Sequence, residues 1–265
     1  MLIIDGGGTA LKVWQRTEKG NMHQITCIAG NFNLQTGRLT NVLKALTEVA
    51  KHSSDHTILI GLAGLSDEAE KQALENKLRT KAAFKGKTLC LMSDWELQLE
   101  LHFPGQNGMI AVLGTGSVFA AKVEGKRFRV GGYGRWIGDR GSGMAIGIRA
   151  LWHYLRLLDG FFEDERFSKA MRRHFKDRED TLRKVYQEQF QVQTLAPEVI
   201  TLAAKGNPTA QAILETEAQG VADFVGLLKK KTAQAHLPLK LCGGLVEKPN
   251  YYRNLVEQVI ARHAW

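Results

Sequence analysis

Leu2-Ile3-Ile4-Asp5-Gly6-Gly7-Gly8-Thr9 opens the chain and decides how the residues after it are read. Leu2-Ile3-Ile4 is a short apolar run of the kind that makes a buried strand. It breaks into an acid and three consecutive glycines. These cannot be there for packing, since each adds backbone entropy and no side chain. Such a turn does let bare N–H groups approach an anion, and Thr9 adds a hydroxyl donor. Asp5, at the strand end, can hold a metal ion against a bound phosphate. A plainer reading is a glycine-rich hairpin in which residues 11–15 form the returning strand. The phosphate reading gains because the chain later offers matching parts.

Outward from this turn, strand and helix patterns alternate. Residues 11–16 and 23–28 are expected to form strands joined at Glu18-Lys19-Gly20-Asn21, a meander on the first strand. Residues 37–50 follow a helical period, with Leu39, Val42, Leu43, Leu46 and Val49 on one face. A strand over 57–62 follows, and Ser66-Asp67-Glu68 caps a helix running to about Thr80. Residues 88–92 are a strand and 94–101 a helix. After Pro104-Gly105-Gln106-Asn107-Gly108 the pattern restarts, with strands over 109–113, 117–123 and 127–130. The first of these again ends in a glycine turn, Gly114-Thr115-Gly116-Ser117. Helices occupy most of 143–231, including 143–158 and 208–230. A late strand over 239–242 ends in Gly243-Gly244, and 246–263 closes the chain as a helix. Two successive units with the same opening predict a duplicated α/β fold, domains 1–107 and 108–265, with a cleft between the halves.

The 265 residues are comfortable for two domains, and 44% apolar with 24% charged residues describes an ordinary soluble protein. No stretch approaches eighteen apolar residues and the chain opens on a strand, which argues against a signal peptide or membrane span. Cys27, Cys90 and Cys242 lie far apart on predicted strands, with no CxxC pair. They are expected to be reduced, buried thiols of a cytoplasmic protein. The net charge of +9 suggests nucleic acid, but the basic residues are interleaved with acids, as in Arg172-Arg173-His174-Phe175-Lys176-Asp177-Arg178-Glu179-Asp180. Lys229-Lys230-Lys231 falls near a helix end, where cations suit the dipole. No nucleic-acid motif accompanies it, so a solvated surface that attracts small anions is the better reading.

Two common nucleotide motifs are excluded. Gly86-Lys87-Thr88 looks like the tail of a P-loop, but Lys81 stands where a glycine is required and a strand follows. No G-x-G-x-x-G occurs in frame. Asp94, in Ser93-Asp94-Trp95-Glu96, has two compatible readings. Ser93 and Glu96 form a capping box in which Asp94 is only a first-turn acid. Asp94 also sits at the C-terminal end of a strand, where open α/β sheets bind ligands, and could accept a proton from a hydroxyl. The stretch 131–143 carries glycines at 131, 132, 134, 138, 141 and 143. It reads as a ligand-shaped loop with Trp136 buried and Asp139 fixed, leading into a helix start whose donors point outward.

Asp5-Gly6-Gly7-Gly8-Thr9, Leu113-Gly114-Thr115-Gly116-Ser117, Gly138-Asp139-Arg140-Gly141-Ser142-Gly143 and Cys242-Gly243-Gly244 occur in the order of the N-acetylglucosamine kinase and BadF/BadG-type ATPase family. The resemblance covers nearly the whole chain. It implies the ribonuclease H-like, actin-like ATPase fold of the sugar kinase, Hsp70 and actin superfamily, with its cleft for nucleotide and sugar. By position, Asp5 with Gly6, Gly7, Gly8, Thr9 and Lys12 resembles the first phosphate motif, in which Asp5 is the Mg²⁺ residue. Gly114, Thr115, Gly116 and Ser117 resemble the second phosphate turn, and Gly243 and Gly244 the adenosine motif. Asp94 matches the catalytic base. Asn33, Gly138 and Asp139, with Asp94, match the sugar-binding residues. Arg140 stands where members usually carry Glu.

The resemblance implies ATP-dependent phosphorylation of an amino sugar, N-acetylglucosamine or glucosamine, at the C6 hydroxyl. ATP and Mg²⁺ are the implied cofactors and a homodimer the implied assembly, with neither nucleic acid nor membrane as partner. Catalysis of this kind is positioning plus charge stabilisation, and closure of the halves would exclude competing water. Two alternatives remain. A BadF/BadG-type activator would need paired cysteines near the second phosphate turn. A non-catalytic sugar or nucleotide sensor would keep the fold without turnover.

Overall fold

The opening apolar run is a strand, β1 (Leu2–Gly6), in the middle of a five-stranded sheet. β2 (Ala10–Arg16) and β3 (Met22–Ala29) return antiparallel on one side of it. β4 (Thr57–Leu62) and β5 (Thr88–Ser93) lie parallel on the other, giving the order β3-β2-β1-β4-β5. Both faces of β1 are covered, which is why it reads as an unbroken apolar run and not as an alternation. Leu2, Ile4, Leu11, Val13, Ile58 and Ile60 cluster with Val42 and Leu46 of α1 (Leu39–Lys51) and with Leu74 and Leu78 of α2 (Glu68–Arg79). α3 (Asp94–His102) packs on β4 through Gly61: Leu97 fills the place a Cβ would take there, at 2.6 Å. Burying Leu97 and Leu99 completely stabilises the docking of α3 by about 1.5–3 kcal/mol each. That exceeds the ~1 kcal/mol of a helix cap, so packing and not capping holds α3 in place.

The second sheet repeats the plan with one parallel strand instead of two. β6 (Gly108–Leu113) is flanked by antiparallel β7 (Ser117–Val123), then β8 (Lys126–Gly131), and on its other side by parallel β9 (Leu239–Cys242). The order is β8-β7-β6-β9. Between β8 and β9 run α4 (Gly143–Leu158), α5 (Glu165–Met171), α6 (Arg178–Tyr186), α7 (Ala196–Ala204) and α8 (Pro208–Thr232); α9 (Tyr251–Arg262) follows β9. Ala111, Leu113 and Phe119 of the sheet share a core with Ile146, Val221, Val225, Tyr252 and Val256. Phe119 stacks on Phe224 with ring centroids 4.8 Å apart.

The chain divides into two units, Met1–Pro104 and Gly105–Trp265. The computed structural model describes residues 1–17, 19–134 and 136–263. Glu18 of the expected first turn and Arg135 of the glycine loop lie outside the described residues. Among the described residues no helix is long and apolar enough to cross a membrane.

Three sequence expectations are corrected. The last helix starts at Tyr251 and not at 246, because Asn250 is its cap: its side chain accepts the Arg253 N–H at 3.0 Å. The helix expected from 37 starts at Leu39, because the Gly37 N–H is held by the Asn33 carbonyl at 2.7 Å in the preceding loop. The three cysteines are free thiols, but only Cys242 is buried; Cys90 is half-buried and Cys27 is exposed. Cys27 lies on β3, the edge strand.

Candidate active site

In the first unit, the glycine turn, a loop over 30–37 and the start of α3 come together. Asp5, next to last in β1, lies directly opposite Lys12 of β2. The Gln98 amide donates to the Asp5 carboxylate at 3.2 Å. Gln98 is one turn on from Asp94 in α3, so both side chains leave the same helix face. Burial, then the charge of Asp94, push the Asp5 carboxyl up to about 6, against the opposing pull of Lys12 and Gln98. Two carboxylates thus share one site, a pattern that a divalent cation relieves.

Asp94 is the first residue of α3, and its carboxylate accepts the Trp95 N–H at 2.9 Å. The capping box is present and is made by its neighbours. The Ser93 hydroxyl accepts the Glu96 N–H at 3.4 Å, and the Glu96 carboxylate accepts the Ser93 N–H at 2.9 Å. Lys71 of α2 lies 3.2 Å from that carboxylate. The capping box is therefore complete without Asp94, which adds its own acceptance of the Trp95 N–H.

Asn33 belongs to the loop folded against the glycine turn, where the Phe32 N–H donates to the Gly7 carbonyl and the Gly30 N–H to the Thr9 carbonyl. Its side-chain oxygen accepts the Gln35 N–H at 2.8 Å, which turns its amide group into a fixed donor. Gly64, at φ +82, is needed there, since a Cβ would meet that oxygen at 2.6 Å.

In the second unit, the Gly114-Thr115-Gly116 turn joins β6 to β7 and packs against the start of α4. The N–H groups of Gly143 and Met144 donate to the carbonyls of Gly114 and Thr115, at 2.8 and 3.2 Å. Asp139 is 7% exposed and takes a left-handed φ of +58. Its carboxyl is raised by burial, offset in part by the N–H groups of Gly134 and Ser117. Gly116 has no side chain where the Asp139 carboxylate sits, 2.6 Å from the missing Cβ. The expected sugar acid and the second phosphate turn are thus in direct contact. The Ser117 hydroxyl donates to the Arg140 carbonyl at 2.8 Å, which leaves Thr115 as the exposed hydroxyl of this turn. Gly138 is shaped by Tyr133, whose Cβ lies 2.8 Å from the place of a glycine Cβ. Gly243 is shaped by the Leu113 carbonyl at 2.5 Å, so it seats the last turn beside the second one.

Trp136 is not buried. It is 74% exposed, beside Tyr133 and Ile137 at 61% and 83%. Glycines on both sides leave the loop without the regular backbone needed to press these side chains onto the core.

The glycines of the three turns separate by physical cause. Gly6, Gly116 and Gly243 are crowded by protein atoms. Gly8, Gly114 and Gly244 have no left-handed φ, and no atom lies within 4 Å of the place a Cβ would take, so the fold alone does not require them. Among the described residues, the N–H groups of Gly8, Thr9, Thr115 and Gly116 have no intramolecular acceptor. Uncrowded glycine with unused N–H groups is the chemistry of an anion cradle. Gly8→Ala and Gly114→Ala should therefore keep the melting temperature within a few degrees. ATP affinity, measured by calorimetry, should fall by ~10-fold or more through loss of close backbone approach.

Residues 4–264 match the model of the BadF/BadG/BcrA/BcrD ATPase family. The chain belongs to this family. Proteins similar to it include the N-acetylmuramic acid/N-acetylglucosamine kinase of Clostridium acetobutylicum, 27% identical over 94% of this chain and 86% of that protein. The glucosamine kinase of Vibrio cholerae is 27% identical over 92% of this chain and 84% of its own length. Among solved structures, a provisionally assigned N-acetylglucosamine kinase from Chromobacterium violaceum superposes with a TM-score of 0.75 at 24% identity, covering 96% of this chain and 90% of that one. A ROK family glucokinase from Streptomyces griseus, in complex with glucose and AMPPNP, gives 0.60 at 14% identity, covering 99% and 88%. These likenesses show the fold, the actin-like ATPase fold with its two sheets.

Of the residues expected at the site, Asp5, the 6–9 turn, Lys12, Asn33 and Asp94 lie in the first unit, and the 114–117 turn, Gly138, Asp139, Gly243 and Gly244 in the second. Sequence reading missed Gln98, although its spacing from Asp94 was a usable signal. It also missed Glu217, a fully buried acid on α8 that carries no local signature.

Proposed function

We propose that this ATPase-family member phosphorylates an amino sugar, N-acetylglucosamine or glucosamine, at its C6 hydroxyl, using ATP with Mg²⁺. The observation that carries the reading is the Asp5–Asp94 pair. One carboxylate has its charge disfavoured beside the phosphate turn, and the other begins a helix whose cap does not need it. The kinase names of the two relatives supply the substrate class.

Asp94 accepts the proton of the attacking hydroxyl. The Gly8, Thr9, Thr115 and Gly116 N–H groups bind the phosphates and stabilise their charge. The Asn33 amide donates to a sugar hydroxyl, and Asp139, with lone pairs left beyond its two backbone partners, accepts from another. Asp5 would hold Mg²⁺ through its carboxylate oxygens, and the bound ion would supply positive charge against the phosphates.

A cytoplasmic, homodimeric enzyme belongs to the same reading. The activator reading has no support from the cysteines: Cys27 and Cys90 lie in the first unit, and Cys242 is buried with its thiol pushed up to about 12.

The test is ADP release over N-acetylglucosamine, glucosamine, N-acetylmuramic acid and plain hexoses, with NMR of the product. Turnover on an amino sugar with a 6-phosphate product is expected. ADP release at background across the panel, with ATP binding intact, would overturn the kinase reading in favour of a sensor.

A further inference from the structure

Arg140 follows Asp139 in the glycine loop. Its side chain turns to α8. There Nε donates to the Glu217 carboxylate at 3.1 Å and Nη2 to the Thr216 carbonyl at 2.8 Å. Gly220 makes room for it, since a Cβ there would lie 3.0 Å from the guanidinium. Glu217 is 1% exposed and accepts three donors: Arg140, the Nε of Arg149, and the Gly141 N–H at 2.7 Å. The carbonyl of the same Gly141 accepts the Tyr252 hydroxyl at 3.0 Å. Both backbone groups of Gly141 are therefore held by buried side chains, one from α8 and one from α9. Asp139 lies two residues before this anchor, and the Gly143 and Met144 donors that fix the second phosphate turn lie two and three residues after it.

A buried carboxylate between two guanidiniums is a poor device for stability alone, because desolvation offsets most of the attraction. It does hold geometry: a fork and a carboxylate meet in few orientations. We propose that Glu217 and Arg140 are positioning residues. The carboxylate clamps the peptide at Gly141, and Arg140 locks that carboxylate, so that Asp139 is held at the angle sugar binding requires. The role in sugar binding rests on the kinase reading above; the clamp does not.

The clamp predicts a split that a stability role would not give. Arg140→Met, which keeps the aliphatic stem of a side chain that is 38% exposed, should raise the KM for the amino sugar by ~10-fold or more, since a loop misplaced by about an ångström costs that and more. The KM for ATP should change far less, and Arg140→Lys should recover only part of the loss because it lacks the fork. Glu217→Gln, which keeps an acceptor for Gly141 but leaves two cations unpaired, should do the same more strongly. Hydrogen exchange on the peptide spanning 139–144, measured on the full chain, should quicken in Arg140→Met while β6 and β7 keep their protection. Unchanged exchange there overturns the clamp whatever the protein's activity. Quickened exchange with unchanged sugar KM overturns the positioning role. Quickened exchange in a protein whose wild type turns over no sugar sinks the kinase reading and leaves the clamp standing.

Discussion

Asp94→Asn should lower kcat by at least ~10²-fold, the lower end for loss of a positioned base, while sugar and ATP affinities stay close to those of the wild type. The expectation is sharp because the structure separates the two roles this residue could have had. Ser93 and Glu96 make the capping box of α3, Asp94 adds an acceptor for the Trp95 N–H that the asparagine oxygen can replace, and Leu97 and Leu99 hold the helix on the sheet. Loss of the Asp94 charge should therefore cost only a first-turn acid's contribution, ~0.3–1 kcal/mol. Phosphoryl transfer through a loose transition state makes limited demands on a base, so a loss far beyond ~10⁴-fold would mean that Asp94 also orients the sugar. The measurement is kcat and melting temperature on one purified sample. Near-normal kcat with a small drop in melting temperature would remove Asp94 from the chemistry.

Asp5→Asn should act in opposite directions on stability and activity. In the folded chain burial and Asp94 raise the Asp5 carboxyl from 3.8 to about 6, so the folded state keeps its proton to a higher pH than the unfolded chain does. The group is neutral for stability below the lower value, and its ionisation opposes folding increasingly up to the higher one. Asn removes that penalty, so the variant should melt above the wild type at pH 7 and lose the difference near pH 4. Its Mg²⁺-dependent kcat should fall ~10²-fold or more, since metal stabilisation of developing charge is worth several kcal/mol. In the wild type the proton competes with the ion, so the Mg²⁺ concentration for half-maximal rate should rise as pH falls below about 6. A variant with unchanged Mg²⁺ dependence would reduce the first turn to a hairpin.

Much of the architecture was legible because it is written locally. Strands buried on two faces, such as β1 and β6, appear as apolar runs, and each ends where glycines interrupt it. Ser93 and Glu96 announced their box by spacing alone. What stayed hidden was set by tertiary neighbours. Glu217 looks like any acid on an amphipathic helix; its burial follows from the packing of α8 under the 138–143 loop, which a single sequence does not display. Arg140 reads as a reversed charge near the substrate because nothing local says that Gly220 vacates a place for it. Trp136 reads as buried because aromatics usually are, and the glycines around it are the contrary sign. The start of α9 is misplaced by an apolar residue, Val246, that is buried in a turn before the cap at Asn250.

The uneven burial of the cysteines has a practical side. Cys242 is shielded and its thiol is held protonated to about pH 12, and Cys90 is half covered, whereas Cys27 faces solvent on an edge strand. Electrophiles select for accessible thiolate. The native chain therefore carries one ready attachment point for a fluorophore, in the unit that holds Asp5 and Asp94. With a second dye placed by a single introduced cysteine in the other unit, the distance between the two halves becomes a quantity that can be followed during turnover, without stripping the protein of its own sulfur.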